Sequence, residues 1–440
     1  MPARLVIQTY VAGEWHDALL ISVSDHLAGR QCSCSAVYLH EYLYKFFEEK
    51  TFPLESAVSV NIPLSEVCYL TNGLFSFLYD IIPGGAARDY LGRIYADSKP
   101  RGVSLDFFLL SRCTPSPIGH LRVKSSVNEC RVVQLEPYSR EEINRGVSIF
   151  SDSVTRGRYL LVGAMSAQGD APKLAVVEGP DGAFYADAQL PDCMARRHWL
   201  VKFPRGRATE RDKNILRAEY CYYKAVSRIG LNTISIDGMT LEEFVQPSLW
   251  LPRFDRRVVE SGVERIPVES FYSICDESTR GASLKHENVL QKLIEIWTYN
   301  GQSLDIEELI FEYLQRDLLN RILGNSDNHG RNSAILRAQG VLRLAPIYDL
   351  APMVLDPQGV TRMTKWESER VGRLDWSDIC RGLKGHIEPD AFFERLRAAA
   401  EQFRALPDLL IDLPLEVKNS PVIPLRCLDR RLAEWDLRQS

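Results

Sequence analysis

A single short stretch, Asn325-Ser-Asp-Asn-His-Gly-Arg-Asn332, gathers carboxylate, amide and imidazole groups that could do chemistry together. Two short apolar runs follow, Ala334-Ile-Leu-Arg337 and Val341-Leu-Arg-Leu344, joined by Ala338-Gln-Gly340 and leading to Tyr348-Asp349. A hairpin there would fold Asp349 back beside Asp327 and Asn332. Magnesium takes one or two carboxylates together with phosphate oxygens, and this set would supply them with a further carboxylate left to orient a nucleophile. Upstream, Lys202 stands in the apolar run His198-Trp-Leu-Val-Lys-Phe203, after a small-residue loop, Gly163 to Lys173, that carries Ser166 and Gly169. Such a loop cradles phosphates, and lysines neutralise them. Together these groups meet the requirements of phosphoryl transfer.

Each group also has a plainer reading. Asn and Asp favour turns, so the 325–332 stretch could be a helix-ending network. A lone lysine in a strand commonly snorkels to solvent. Gly163 and Gly169 could serve only as turn glycines, and Asp349 could cap a turn. His329 either orients Asp327 or joins the chemistry; both readings stay open. Arg253, Asp255 and Arg256 could form a surface ion-pair cluster, which contributes little.

The elements that must position these residues follow from hydrophobic spacing. Leu5–Val11 and Ala18–Val23 flank Ala12-Gly13-Glu14, a hairpin signature. A helical stretch is expected over 74–95, broken at Pro83-Gly84-Gly85, and a loop over 111–119. Arg158–Val162, Leu174–Val177, Ala183–Ala186 and His198–Phe203 read as strands. Asp212 to Ile229 has helical spacing with Gly230 as its stop, and it carries Glu219. Leu304 to Leu323 is a second amphipathic helix, ended by Gly324. The first half reads as strand-rich and the last third as helix-rich.

With 440 residues, two or three domains are expected. Hydrophobic residues make up 45% and charged residues 25%, which excludes a disordered chain, a collagen-like repeat or a small disulfide scaffold. The net charge of −5, from 53 basic and 58 acidic residues, argues against a protein that coats DNA or an anionic membrane. No run is long and apolar enough for a membrane helix. The start lacks a secretory signal pattern, so no such signal is expected. Ten cysteines are scattered, only Cys32 and Cys34 lying close together, which disfavours thiolate metal ligation and reads as mostly buried, reduced thiols in a cytoplasmic protein.

On Asn325-x-Asp327-x-His329-x-x-Asn332, Tyr348-Asp349, Arg253-Phe-Asp-Arg256 and the loop Ser166-Ala-Gln-Gly-Asp-Ala-Pro-Lys173, the sequence resembles the HipA-like serine/threonine kinases of bacterial toxin–antitoxin modules. The resemblance runs over roughly residues 70 to 390. It implies an α+β, two-lobed protein-kinase-like fold: an N-terminal accessory β-containing subdomain (1–149), a β-rich nucleotide-covering N-lobe (150–250) and a mainly helical catalytic C-lobe (251–440). It implies ATP and Mg2+ as cofactors. Asp327 would then be the catalytic aspartate that accepts the substrate hydroxyl proton, with His329 beside it. Asn332 and Asp349 would hold magnesium, and Lys202 would contact phosphates and pair with Glu219. Phe254 would bind adenine through its backbone. Gly163, Ser166, Gly169 and Lys173 would belong to the loop over the phosphates, Ser166 matching an autophosphorylated serine by its offset from Lys173. Two positions depart from the family pattern: Pro252 stands where Glu is common and has no N–H to donate, and Asp170 adds negative charge to the loop.

The implied partners are a protein substrate, such as an aminoacyl-tRNA synthetase, and a helix-turn-helix antitoxin through which alone the chain would meet DNA. No membrane partner is expected. Two other classes compete. One is a catalytically idle kinase fold that serves as the binding partner of a DNA-binding antitoxin. The other is a metal-dependent nuclease using Asp327, His329 and Asp349, a chemistry that has no need of Lys202.

Overall fold

The computed structural model describes residues 3–24, 32–47, 52–131, 137–145, 171–369 and 374–438. The chain is α+β and divides into two compact units. The first comprises residues 1–206, 237–278 and 335–341; the second comprises 207–236, 279–334 and 342–440.

The first unit is built on two antiparallel sheets. Strands β1 (Ala3–Val11) and β2 (Glu14–Val23) form the expected hairpin. Its turn residues Ala12 and Gly13 have φ of +51° and +86°, the left-handed pair that a tight hairpin matching strand twist requires. With β3 (Ser33–Tyr38), β4 (Tyr69–Asn72) and β5 (Leu121–Val123), the sheet order is β4-β3-β2-β1-β5. The second sheet contains β6 (Lys173–Glu178), β7 (Phe184–Ala186), β8 (Arg197–Lys202), β9 (Thr240–Glu243) and β10 (Pro247–Pro252), in the order β7-β6-β8-β10-β9. Ile7, Leu19 and Ile21 of the first sheet join Val176, Val201 and Trp250 of the second in one buried apolar cluster. Each such side chain contributes about 1.5–3 kcal/mol on burial, which fixes both sheets in one core.

Two expectations need adjusting here. The helix Leu105–Arg112, capped by the Ser104 hydroxyl, extends into the stretch read as a loop, because Phe108, Leu109 and Leu110 pack inward. Among the described cysteines, only Cys32, Cys34, Cys113 and Cys380 are buried, while Cys68 and Cys193 are exposed. The predicted break at Pro83–Gly85 is present, between the helices Leu78–Ile81 and Gly85–Ile94.

The second unit is mainly helical. Its helix Glu210–Arg228 opens on a reciprocal cap between Thr209 and Asp212 and stops before Gly230, whose φ is +81°. Ile215 of this helix packs on Ala351 and Met353. The helix Ile306–Ile322 buries Leu309, Ile310, Tyr313, Leu314 and Leu318; Leu304, assigned to it from sequence, is fully exposed and precedes it. Among the described residues, no helix is long and apolar enough to cross a membrane.

Candidate active site

The polar loop starts where the helix Ile306–Ile322 is forced to stop. Gly324 has φ of +69°, and a Cβ there would meet Val354 Cγ2 at 2.9 Å and Ile423 Cγ1 at 3.1 Å. Both the backbone conformation and the space therefore require glycine. Asn325 then turns the chain: its main-chain N–H donates to Asn320 O at 2.8 Å, and its side-chain oxygen accepts from the Asp327 N–H at 3.2 Å. Asn332 closes the loop, its carboxamide nitrogen donating to the Asp327 main-chain oxygen at 2.7 Å. That bond uses the amide nitrogen and leaves the carboxamide oxygen as the group with acceptor capacity for a cation.

His329 is held by this turn. Its Nδ1 accepts from the Arg331 N–H at 3.2 Å, which assigns the ring proton to Nε2, and Nε2 lies 3.5 Å from Asp327 Oδ1. The ring thus faces the carboxylate that the sequence singles out, in the geometry of an orienting group.

Tyr348 and Asp349 return to the same loop, as the hairpin reading expects. The Tyr348 hydroxyl donates to Arg331 O at 2.7 Å, and the Asn325 carboxamide donates to Asp349 O at 3.3 Å. Asp349 has φ of +50°, an uncommon conformation for a residue with a side chain and one met at functional turns. The helix Glu210–Arg228 supports both ends of this arrangement. Tyr222 donates to Leu323 O at 3.0 Å, and the Tyr223 hydroxyl, 3.5 Å from the Leu350 N–H, donates to Glu219 Oε1 at 2.7 Å. Burial, and then the Glu219 and Asp349 charges, push the Tyr223 phenol well above its usual range, so it stays a donor.

In the first unit, Lys202 ends β8 and Lys173 begins β6, and the two are direct partners in the antiparallel register. Both are buried. Gly163, Ser166 and Gly169 lie outside the described residues. Phe254 is half-buried just after β10, and the preceding Arg253 N–H donates to His198 O at 3.0 Å.

The Arg253, Asp255 and Arg256 cluster is not a surface one. Arg253 joins Asp187 at 2.6 Å and Asp255 at 2.5 Å, and Asp187 also takes His198 Nδ1 at 2.5 Å and the Ser116 hydroxyl at 2.6 Å. Arg256 reaches Asp255 at 2.6 Å and the Pro117 and Gly119 carbonyls at 2.7 Å. Burial opposes ionisation of Asp187, yet the neighbouring Arg253 and His198 outweigh it and hold the carboxyl well below the usual range. Sequence alone hides this because Asp187 and His198 come from distant segments.

Four supporting residues escape the sequence reading: Ser326, Asn328, Tyr223 and Asp317. Ser326 and Asn328 flank Asp327 and bind the chain at 360–364. Asp317 carried a signal, a carboxylate in the apolar stripe between Tyr313, Leu314 and Leu318.

A profile of the HipA-like C-terminal domain family matches residues 165–406, more than half the chain. The chain belongs to this family. The HipA-like match spans the polar loop, Tyr348-Asp349, Lys202 and Arg253–Arg256 together. Among solved structures, the chain is similar to one described as the Shewanella oneidensis MR-1 toxin–antitoxin system HipA, HipB and operator DNA complex, with a TM-score of 0.64 and 16% identity over 99% of this chain and 97% of that one. That likeness gives the HipA fold. A second structure, the Helicobacter pylori proinflammatory kinase CtkA, aligns with 55% of this chain and 86% of its own at 16% identity, with a TM-score of 0.36, too low to argue fold. No curated protein matches in sequence.

Proposed function

We propose that this HipA-like chain is an ATP- and magnesium-dependent serine/threonine protein kinase of the toxin type. The observation that carries the reading is the closed loop of the second unit, in which Asn332 is bonded to the Asp327 backbone and Asn325 to the Asp349 backbone. Asp327 would accept the proton of a substrate hydroxyl as it attacks the γ-phosphorus, with His329 Nε2 orienting the carboxylate. Asn332 and Asp349 would hold magnesium. Their oxygen donors suit a hard cation. Bound magnesium supplies charge neutralisation on the phosphates. Lys202 and Lys173 would add positive charge from β8 and β6, and the Phe254 backbone would meet adenine. Arg253 fixes that segment by its buried bonds to Asp187 and Asp255.

In this reading, residues 1–149 are accessory, 150–250 cover the nucleotide and 251–440 carry the catalytic loop. Ser166 is the site of self-phosphorylation, where a phosphate of roughly −1.5 to −2 charge would repel the loop from ATP. The acceptor is a protein serine or threonine in a translation component, such as an aminoacyl-tRNA synthetase. A helix-turn-helix antitoxin is the partner, by analogy with the HipB of the similar complex, and DNA is met through it. The test is incubation with magnesium and γ-labelled ATP, followed by mass spectrometry, beside a parallel incubation with supercoiled plasmid. Phosphate on protein and intact plasmid support the kinase; nicked plasmid and unmodified protein turn the reading to a nuclease.

A further inference from the structure

Asp327 is flanked by two residues that leave the loop to grip another segment. The Ser326 hydroxyl donates to Val360 O at 2.7 Å. Asn328 makes a double contact: its side-chain oxygen accepts from the Met363 N–H at 2.8 Å and the Thr364 N–H at 3.2 Å, and its amide donates to Thr364 O at 2.7 Å. The Thr364 hydroxyl returns a bond to Asn328 O at 2.8 Å. The loop therefore stands where the 360–364 segment puts it.

That segment is itself anchored at one buried carboxylate. Asp317, in the helix that precedes the loop, is 4% exposed and accepts from Arg362 Nη2, from Trp366 Nε1 at 2.9 Å and from Arg321 Nε at 3.1 Å. Arg321 continues to Glu369 at 2.8 Å. His286 stacks on Trp366 with ring centroids 4.6 Å apart and lies 3.6 Å from Asp317 Oδ1. Both ends of the 362–369 segment thus converge on Asp317, while its middle holds the loop. A surface pair would contribute little, but a buried, multiply bonded carboxylate fixes its partners firmly.

We propose that Asp317 is a positioning residue for Asp327: through Arg362 and Trp366 it sets the 360–369 segment as a clamp on the loop, and loosening this clamp withdraws Asp327 from its working position. The consequence for turnover rests on the kinase reading; the clamp itself does not. Misplacing a catalytic group by about 1 Å costs about a hundredfold in rate.

The experiment compares full-length wild type with Asp317→Asn, Arg362→Gln and Arg362→Lys. Hydrogen exchange is followed in the 324–333 loop, with the helix Pro389–Phe403, which packs on the first half of the Asp317 helix through Phe392 and Phe311, as the reference for unfolding of the second unit. Phosphate transfer from magnesium–ATP to dephosphorylated casein gives kcat and the ATP KM. The clamp predicts faster exchange in the loop but not in the reference helix for Asp317→Asn and Arg362→Gln. It also predicts a fall in kcat of about tenfold to a hundredfold with an ATP KM within about twofold, and recovery of both readouts in Arg362→Lys. Unchanged loop exchange in folded Asp317→Asn and Arg362→Gln overturns the clamp, as does an ATP KM that rises while kcat holds. If wild type transfers no phosphate to casein, the exchange arm alone decides the clamp, and the kinase reading is decided separately by phosphate on the protein itself.

Discussion

Lys173 and Lys202 stand directly opposite each other across the antiparallel pair β6 and β8. Like charges directly opposite each other disfavour the sheet, a cost that anionic neighbours offset. In the kinase reading a bound nucleotide phosphate adds to those neighbours. Lys202→Met and Lys173→Met should each weaken ATP binding by roughly tenfold to a hundredfold, the loss of one charge-assisted contact of about 1.5–3 kcal/mol. Calorimetric titration checks this; unchanged affinity in both variants would remove the lysines from the phosphate site.

Asn332→Ala and Asp349→Ala should each weaken nucleotide binding in the presence of magnesium and leave the weak magnesium-free binding nearly unaltered. Each change removes one oxygen ligand from a cation site that has few. Titration with ATP, with and without magnesium, measures the difference. An equal magnesium dependence in wild type and both variants would locate the cation elsewhere.

His286 gives the second unit an acid-sensitive point. Burial lowers its pKa from 6.5 to about 4, with Arg362 and Arg321 adding to the effect and Asp317 opposing it. The unfolded chain therefore takes up a proton on this residue at a pH where the folded chain does not, and stability falls as pH drops from 6.5 towards about 4. The loss attributable to this group reaches about 3 kcal/mol at the acid end. Urea unfolding at pH 7 and pH 5 should show a smaller acid-induced loss for His286→Gln than for wild type. An identical pH dependence would mean that the imidazole does not stay neutral in the fold.

How far the sequence carried the structure depended on the range of the contacts. The helices Glu210–Arg228 and Ile306–Ile322, and the β8 strand, follow from local periodicity, so they were legible within a residue or two of their ends. The 325–332 loop was legible because its polar density and the glycine stop before it are local features. Asp317 was not, since its partners Arg362 and Trp366 come from the far side of the loop and strands that follow. The same reason hid the burial of Arg253 and Asp255 with Asp187. Side-chain networks closed by distant segments leave only one trace in a sequence, a charge at an apolar position.

The most direct measurement is the rate of phosphoryl transfer from magnesium–ATP by wild type and by Asp327→Asn, with folding and ATP affinity measured on the same preparations. The substitution keeps the size of the side chain and removes its capacity to accept a proton, while the Asn332 bond to the Asp327 backbone is untouched. Wild type should transfer phosphate to protein, and Asp327→Asn should do so about a hundredfold to ten-thousandfold more slowly with ATP affinity nearly unchanged. Transfer at the wild-type rate by a folded, ATP-binding Asp327→Asn would contradict the assignment of this loop as the catalytic centre.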